Sequence, residues 1–139
     1  MQYRINAPRI LAETVGDETL IIDTLTGLYF CTRATGALVW RWLEQGVSVE
    51  TIVTRLADLP GAPAGEIQSM VDALILALLA DELIVQDDSP KEEPAAEIPP
   101  GMSFSPPSLE RFSDMEKLLV VDPLHDLGPE ENSANSENN

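Results

Sequence analysis

Cysteine and histidine are nearly absent from this chain, with one of each, Cys31 and His125, in 139 residues. A single thiol closes no internal disulfide, and a cysteine nucleophile needs a neighbouring base to hold it as thiolate. Cys31 lies in an apolar run with only Arg33 close by, and His125 sits far down the chain beyond an acidic, Pro-rich stretch. A Cys31–His125 dyad is not expected, and Cys31 reads as a small buried hydrophobe. No set of acid, base and nucleophile can be assembled, so enzymes are the least supported class and no catalytic residue is assigned.

Basic residues are also scarce. Eight Lys and Arg stand against 24 Asp and Glu, a net charge of -16. Residues 1–85 hold 11 acids and 5 Arg, hence -6, and residues 86–139 hold 13 acids and 3 bases, hence -10. Such a surface repels phosphate backbones and anionic lipid, so neither nucleic acid nor membrane is an expected partner. Long apolar runs are missing too. Ala73–Ala80, bracketed by Asp72 and Asp81, is far too short to span a bilayer. No basic-then-apolar segment marks a signal peptide at the amino terminus. The expected compartment is a reducing cytoplasm.

What remains is organised around Thr19–Leu43. Two apolar runs, Thr19–Ile22 and Leu28–Cys31, flank Asp23-Thr24-Leu25-Thr26-Gly27 and predict a β-hairpin. Ile10–Val15 and the Gly16-Asp17 turn add a strand before it, giving a three-stranded meander over about 10–15, 19–23 and 28–32. Its apolar face needs a cover, and the following periodicity supplies three helices. The first runs from about Thr35, capped by Thr35 or Thr32, to Gln45, and stops at Gly46. Ser48 caps the second, Val49–Leu59, with Ile52, Val53 and Leu56 as its stripe. The third, Ala64–Ala80, places Ile67, Met70, Val71, Leu74 and Leu78 on one face. Leu83-Ile84-Val85 closes the domain as a short strand or extended tail. Trp40 is expected to anchor the core with Ala37 and Leu43. Trp42, two residues on, points elsewhere and reads as a boundary residue or a partly exposed stacking surface.

The ordered set Glu18–Asp23, Thr26-Gly27-Leu28-Tyr29-Phe30, Thr35-Gly36-Ala37-Leu38-Val39-Trp40 and Ser48–Val53 resembles the PqqD-like family, peptide-binding modules also called RiPP recognition elements. The resemblance covers about residues 10–85. It implies an α+β, winged-helix-like fold: a three-stranded antiparallel sheet packed on three helices. It implies no catalysis and no cofactor. Its implied role is to bind the leader of a ribosomally made precursor peptide and present it to a modifying enzyme, such as a radical SAM protein. The founding case serves pyrroloquinoline quinone biosynthesis.

The residues give this role a physical rationale. The strand Leu28–Thr32 ends the meander, and a vacant edge there offers amides and carbonyls to an incoming strand. Leu28, Tyr29, Phe30, Cys31 and Thr32 are therefore the candidate strand edge. Met70, Val71, Ile75 and Leu79 are the candidate groove wall, since the third helix carries more apolar surface than one buried face requires. The competing reading of Ile75, Leu76 and Leu79 is plain core. A winged-helix nucleic-acid binder is disfavoured because that helix carries Glu66 and Asp72, ends at Asp81, and has no Lys or Arg.

The domain is expected over 1–85. Residues 86–107 are expected to be a disordered acidic, Pro-rich linker, 108–127 a short linear motif, and 128–139 a disordered tail. The motif comprises Phe112, Met115, Leu118, Leu119, Asp122, Pro123, His125 and Asp126. Its readings stay open: an internal competitor on the domain's own edge, a docking element for the enzyme, a substrate fused to its recognition domain, or an idle remnant. Asp122, His125 and Asp126 together make a poor metal site, lacking a second shell, and no metal is assigned.

Overall fold

The computed structural model describes residues 1–89 and 92–113. In chain order its elements are β1 (Tyr3–Ile5), β2 (Ile10–Val15), β3 (Glu18–Asp23), β4 (Tyr29–Arg33), α1 (Thr35–Gln45), α2 (Val49–Ala57), α3 (Ile67–Ala80), β5 (Ile84–Gln86) and β6 (Glu110–Phe112). The fold is α+β. The expected meander β2-β3-β4 is present and gains β6 as a fourth strand, all pairings antiparallel. β1 and β5 form a separate antiparallel ribbon that ties the amino terminus to the residues after α3. A three-residue strand such as β1 is shorter than any periodic signal, and its region reads as featureless in sequence.

The core lies between the sheet and the helices. Phe30, Ile21 and Ile10 come from the strands, Trp40, Leu43 and Val39 from α1, Ile52 and Leu56 from α2, and Val71 and Leu78 from α3. α2 opens as expected: the Ser48 hydroxyl accepts from the Thr51 amide at 3.2 Å. α1 stops at Gly46, whose φ of 89° provides the left-handed terminator.

The start of α1 differs from expectation. Neither Thr32 nor Thr35 caps it. The chain enters through Ala34 at φ 51°, with no side-chain cap bond. Both threonine hydroxyls are engaged elsewhere, as described below. α3 begins at Ile67 rather than 64 because Gly65, at φ 79°, breaks the turn before it.

The loop that delivers β4 is held by a buried charge pair. Asp23, 1% exposed, accepts from Arg9 Nε at 2.9 Å and Nη2 at 2.8 Å, and from the amides of Leu25 and Thr26 at 3.0 and 3.3 Å. The Arg9 guanidinium holds this carboxyl well below the usual carboxylate range, with the loop amides helping.

Residues 92–109 form no helix or strand, as an extended linker would, yet they are not free of the domain. They run over α1 and α2 as a strap. Ala96 is 3% exposed within the core cluster, and Ile98, Met102, Phe104 and Leu109 pack against it. The strap also corrects the view of Trp42, which is 1% exposed rather than at a boundary. α1 is covered on two sides, by the sheet and by the strap, so two tryptophans on different faces are both buried. Among the described residues no helix is long and apolar enough to cross a membrane.

Candidate functional site

β4 alternates its side chains between two environments, as a pleated strand must. Phe30 and Thr32 face the helices, 0% and 4% exposed. Tyr29, Cys31 and Arg33 project from the opposite face, with Tyr29 half-buried and Arg33 exposed. Leu28, just before the strand, is half-buried and packs against the core. The five expected edge residues are thus contiguous along one border of the sheet.

That border is not vacant. β6 pairs with it in antiparallel register, Tyr29 opposite Phe112, Phe30 opposite Arg111 and Cys31 opposite Glu110. The expectation of an open edge is corrected by the chain's own segment. An unpaired row of N–H and C=O groups takes a strand when one lies within reach, and the strap delivers one.

Side chains on β6 match both faces of β4. On the face away from the helices, Arg33 Nη1 donates to Glu110 at 3.3 Å while its Nε donates to Glu18 at 2.6 Å. Cys31 Sγ, in the same cluster, donates to Glu18 at 3.5 Å. Burial, followed by the Glu18 charge, pushes the Cys31 thiol up to about 11, so it stays protonated at neutral pH and offers no nucleophile. On the helix side, Leu109 packs against the core and Arg111 meets Asp81, at the end of α3, at 3.4 Å.

The α3 residues separate into two sets. Val71 and Ile75 are 0% and 5% exposed and belong to the core. Met70 and Leu79 are half-buried, and Leu76, not singled out for the groove, is 66% exposed. Apolar excess on α3 is therefore divided between core and surface. Arg33, Glu18, Asp81, Leu109 and Arg111 complete the site and were not legible as such. Each is an ordinary charged or apolar residue until the register places it.

The strap holds its position upstream of β6 by bonds to main-chain atoms. Trp42 Nε1 donates to the Glu97 carbonyl at 3.2 Å and Arg55 Nε to the Ala96 carbonyl at 3.0 Å. The Phe104 amide donates to the Pro60 carbonyl at 2.8 Å. The Ser105 amide donates to Thr35 Oγ1 at 2.9 Å, and Thr32 Oγ1 donates to the Ser108 carbonyl at 2.6 Å. Gly36 makes this last contact possible: a Cβ there would lie 2.0 Å from Thr32 Oγ1 and 3.2 Å from the Ser108 carbonyl oxygen. A cavity of about 440 Å³, between the β2–β3 turn, the start of α1 and the strap, includes Asp17, Ala34, Arg41 and Met102 and lies away from the β4 border.

Among the described residues no group of three or more His, Cys, Asp and Glu could hold a metal. Of the expected motif, Phe112 lies on β6. Met115, Leu118, Leu119, Asp122, Pro123, His125 and Asp126 lie outside the described residues.

A β-meander that feeds three helices and takes a further strand on its last border defines the class: a small α+β module of winged-helix type. Residues 18–84, just under half of the chain, match the PqqD family, described as coenzyme PQQ synthesis protein D. The match ends before the strap and β6. The fold is shared with a solved structure described as TbiB1 in complex with the TbiA(beta) leader peptide, at a TM-score of 0.56 and 23% identity, covering 62% of this chain and 99% of that one. No curated protein matches the sequence.

Proposed function

We propose that this protein is a peptide-capture module: it takes the leader segment of a ribosomally made precursor as an added strand on β4 and presents it to a modifying enzyme. The observation that carries this reading is the pairing of β4 with β6, because a border that pairs with one short extended segment in antiparallel register is suited to pair with another. Main-chain bonding supplies affinity without demanding a fixed sequence. Selection falls to the flanking side chains: Arg33 and Tyr29 on one face, and Asp81, which Arg111 of β6 reaches, on the other. The match of residues 18–84 to the PqqD family and the fold shared with TbiB1, a protein solved with a leader peptide, support the same reading. The partner enzyme is of the class that modifies such peptides, radical SAM proteins included. The module itself binds and performs no chemistry.

The test is a titration with synthetic amino-terminal segments of short polypeptides encoded beside this gene. Amide resonances of residues 28–33 and of α3 are expected to shift with one of them. Shifts confined to β2 or to the cavity near Arg41 would place any binding elsewhere and remove this reading.

A further inference from the structure

We infer that β6 is an intramolecular pseudo-ligand: the segment after Ser108 closes the peptide-binding border of β4 and is displaced when a partner peptide binds. The inference rests on the peptide-capture reading above and assigns that site its regulation.

One strand edge offers one row of donors and acceptors, so β6 and an incoming strand cannot pair with it together. β6 already fills that row over Tyr29, Phe30 and Cys31. It also satisfies the side chains a ligand would meet, placing a carboxylate by Arg33 and an apolar residue, Leu109, against the core.

The hold is uneven along the segment, and that makes the closure reversible. Upstream, buried Ala96 and the bonds from Trp42, Arg55 and Thr32 fix the strap to the domain. Beyond Ser108 the described residues are held by Leu109 against the core, by three residue pairs and by two ion pairs, whose members are largely exposed, Arg33 at 51%, Glu110 at 54% and Arg111 at 61%, apart from Asp81 at 26%. Exposed pairs contribute little, and salt screens them. The strand can therefore peel from Leu109 onward while the strap stays docked. Its tether keeps it near the border at an effective concentration on the order of millimolar, which a partner peptide must outcompete. A border closed nine-tenths of the time raises the apparent dissociation constant of any competitor about ten-fold.

The register supplies a lock. Glu110 lies directly opposite Cys31, the chain's single cysteine, and opposed antiparallel residues have Cα atoms about 4.5–5.5 Å apart, within disulfide reach. In full-length Glu110→Cys, glutathione disulfide converts the two thiols to one disulfide and is reduced to two glutathiones. The probe is a fluorescein-labelled peptide, PSLERFS, copying residues 107–113. Oxidised Glu110→Cys is expected to show no binding by fluorescence anisotropy, and dithiothreitol to restore it in the same molecule. Full-length Glu110→Pro, which disrupts β6 and deletes its ion pair with Arg33, is expected to bind the probe at least about ten-fold more tightly than the wild type. Equal binding by oxidised and reduced Glu110→Cys, or by wild type and Glu110→Pro, overturns the inference. The two readings fail separately. A leader that binds wild type and Glu110→Pro with one affinity removes the closure and leaves capture standing. A released border that binds the probe but none of the leader segments removes capture and leaves the closure standing.

Discussion

Residues 93–108 and residues 109–112 belong to one extended stretch, yet the domain holds them in different ways. The first part is gripped by an indole, a guanidinium and a hydroxyl, and it buries Ala96 completely enough to join the core. The second is held by Leu109 against the core, by three backbone pairings and by ion pairs that are exposed apart from Asp81. The difference teaches that docking and occupancy are separable: a segment can be permanently attached to a fold while its end comes and goes.

Three substitutions sharpen or break that contrast. Ala96→Asp, the largest in expected effect, puts an unpaired carboxylate under the strap. It should cost about 3 kcal/mol of global stability in urea unfolding, and strip amide protection from 93–108 and β4 alike. Gly36→Ala should cost about 1–2 kcal/mol, because Thr32 must turn away and its bond to Ser108 is lost. Exchange should rise at the Ser108 end and in β6 while the Ala96 grip persists. Glu110→Ala should change global stability by less than about 0.5 kcal/mol, yet raise amide exchange of residues 29–31 several-fold. Adding salt to the wild type should move exchange in the same direction. Global destabilisation from Glu110→Ala matching that from Gly36→Ala would show the two parts to be one cooperative unit, and the contrast would fail.

Much of the domain could be read from residue order alone. Ile10–Val15 is the observed β2, and Thr35–Gln45 with its Gly46 stop is the observed α1, because apolar period and turn chemistry agree there. The Ser48 cap was legible for the same reason. The strap was not. Its contacts run through the carbonyls of Ala96, Glu97 and Ser108, and a carbonyl has no signature in composition. An acidic, Pro-rich stretch looks unable to bury anything, yet it seats Ala96 in the core, rests Ile98, Met102, Phe104 and Leu109 against it and lends a few oxygens. The burial of Trp42 is hidden for the same reason, since the strap that covers it has no signature in the sequence. β6, with one aromatic in three residues, is too short for alternation to show. The register that sets Glu110 against Cys31 is a tertiary fact. Ala34 at φ 51° was equally hidden, because alanine seldom adopts that conformation and only the fold imposes it.

That grip on backbone oxygens has a practical corollary. Trp42, Arg55 and Thr32 would grasp any peptide laid along the same path that keeps a small residue at the position of Ala96 and apolar ones at those of Ile98, Met102 and Phe104. The carboxyl-terminal arm is therefore an exchangeable cartridge. Rewriting the few letters after Ser108 should retune which outside polypeptides can evict it, without rebuilding the body that carries it.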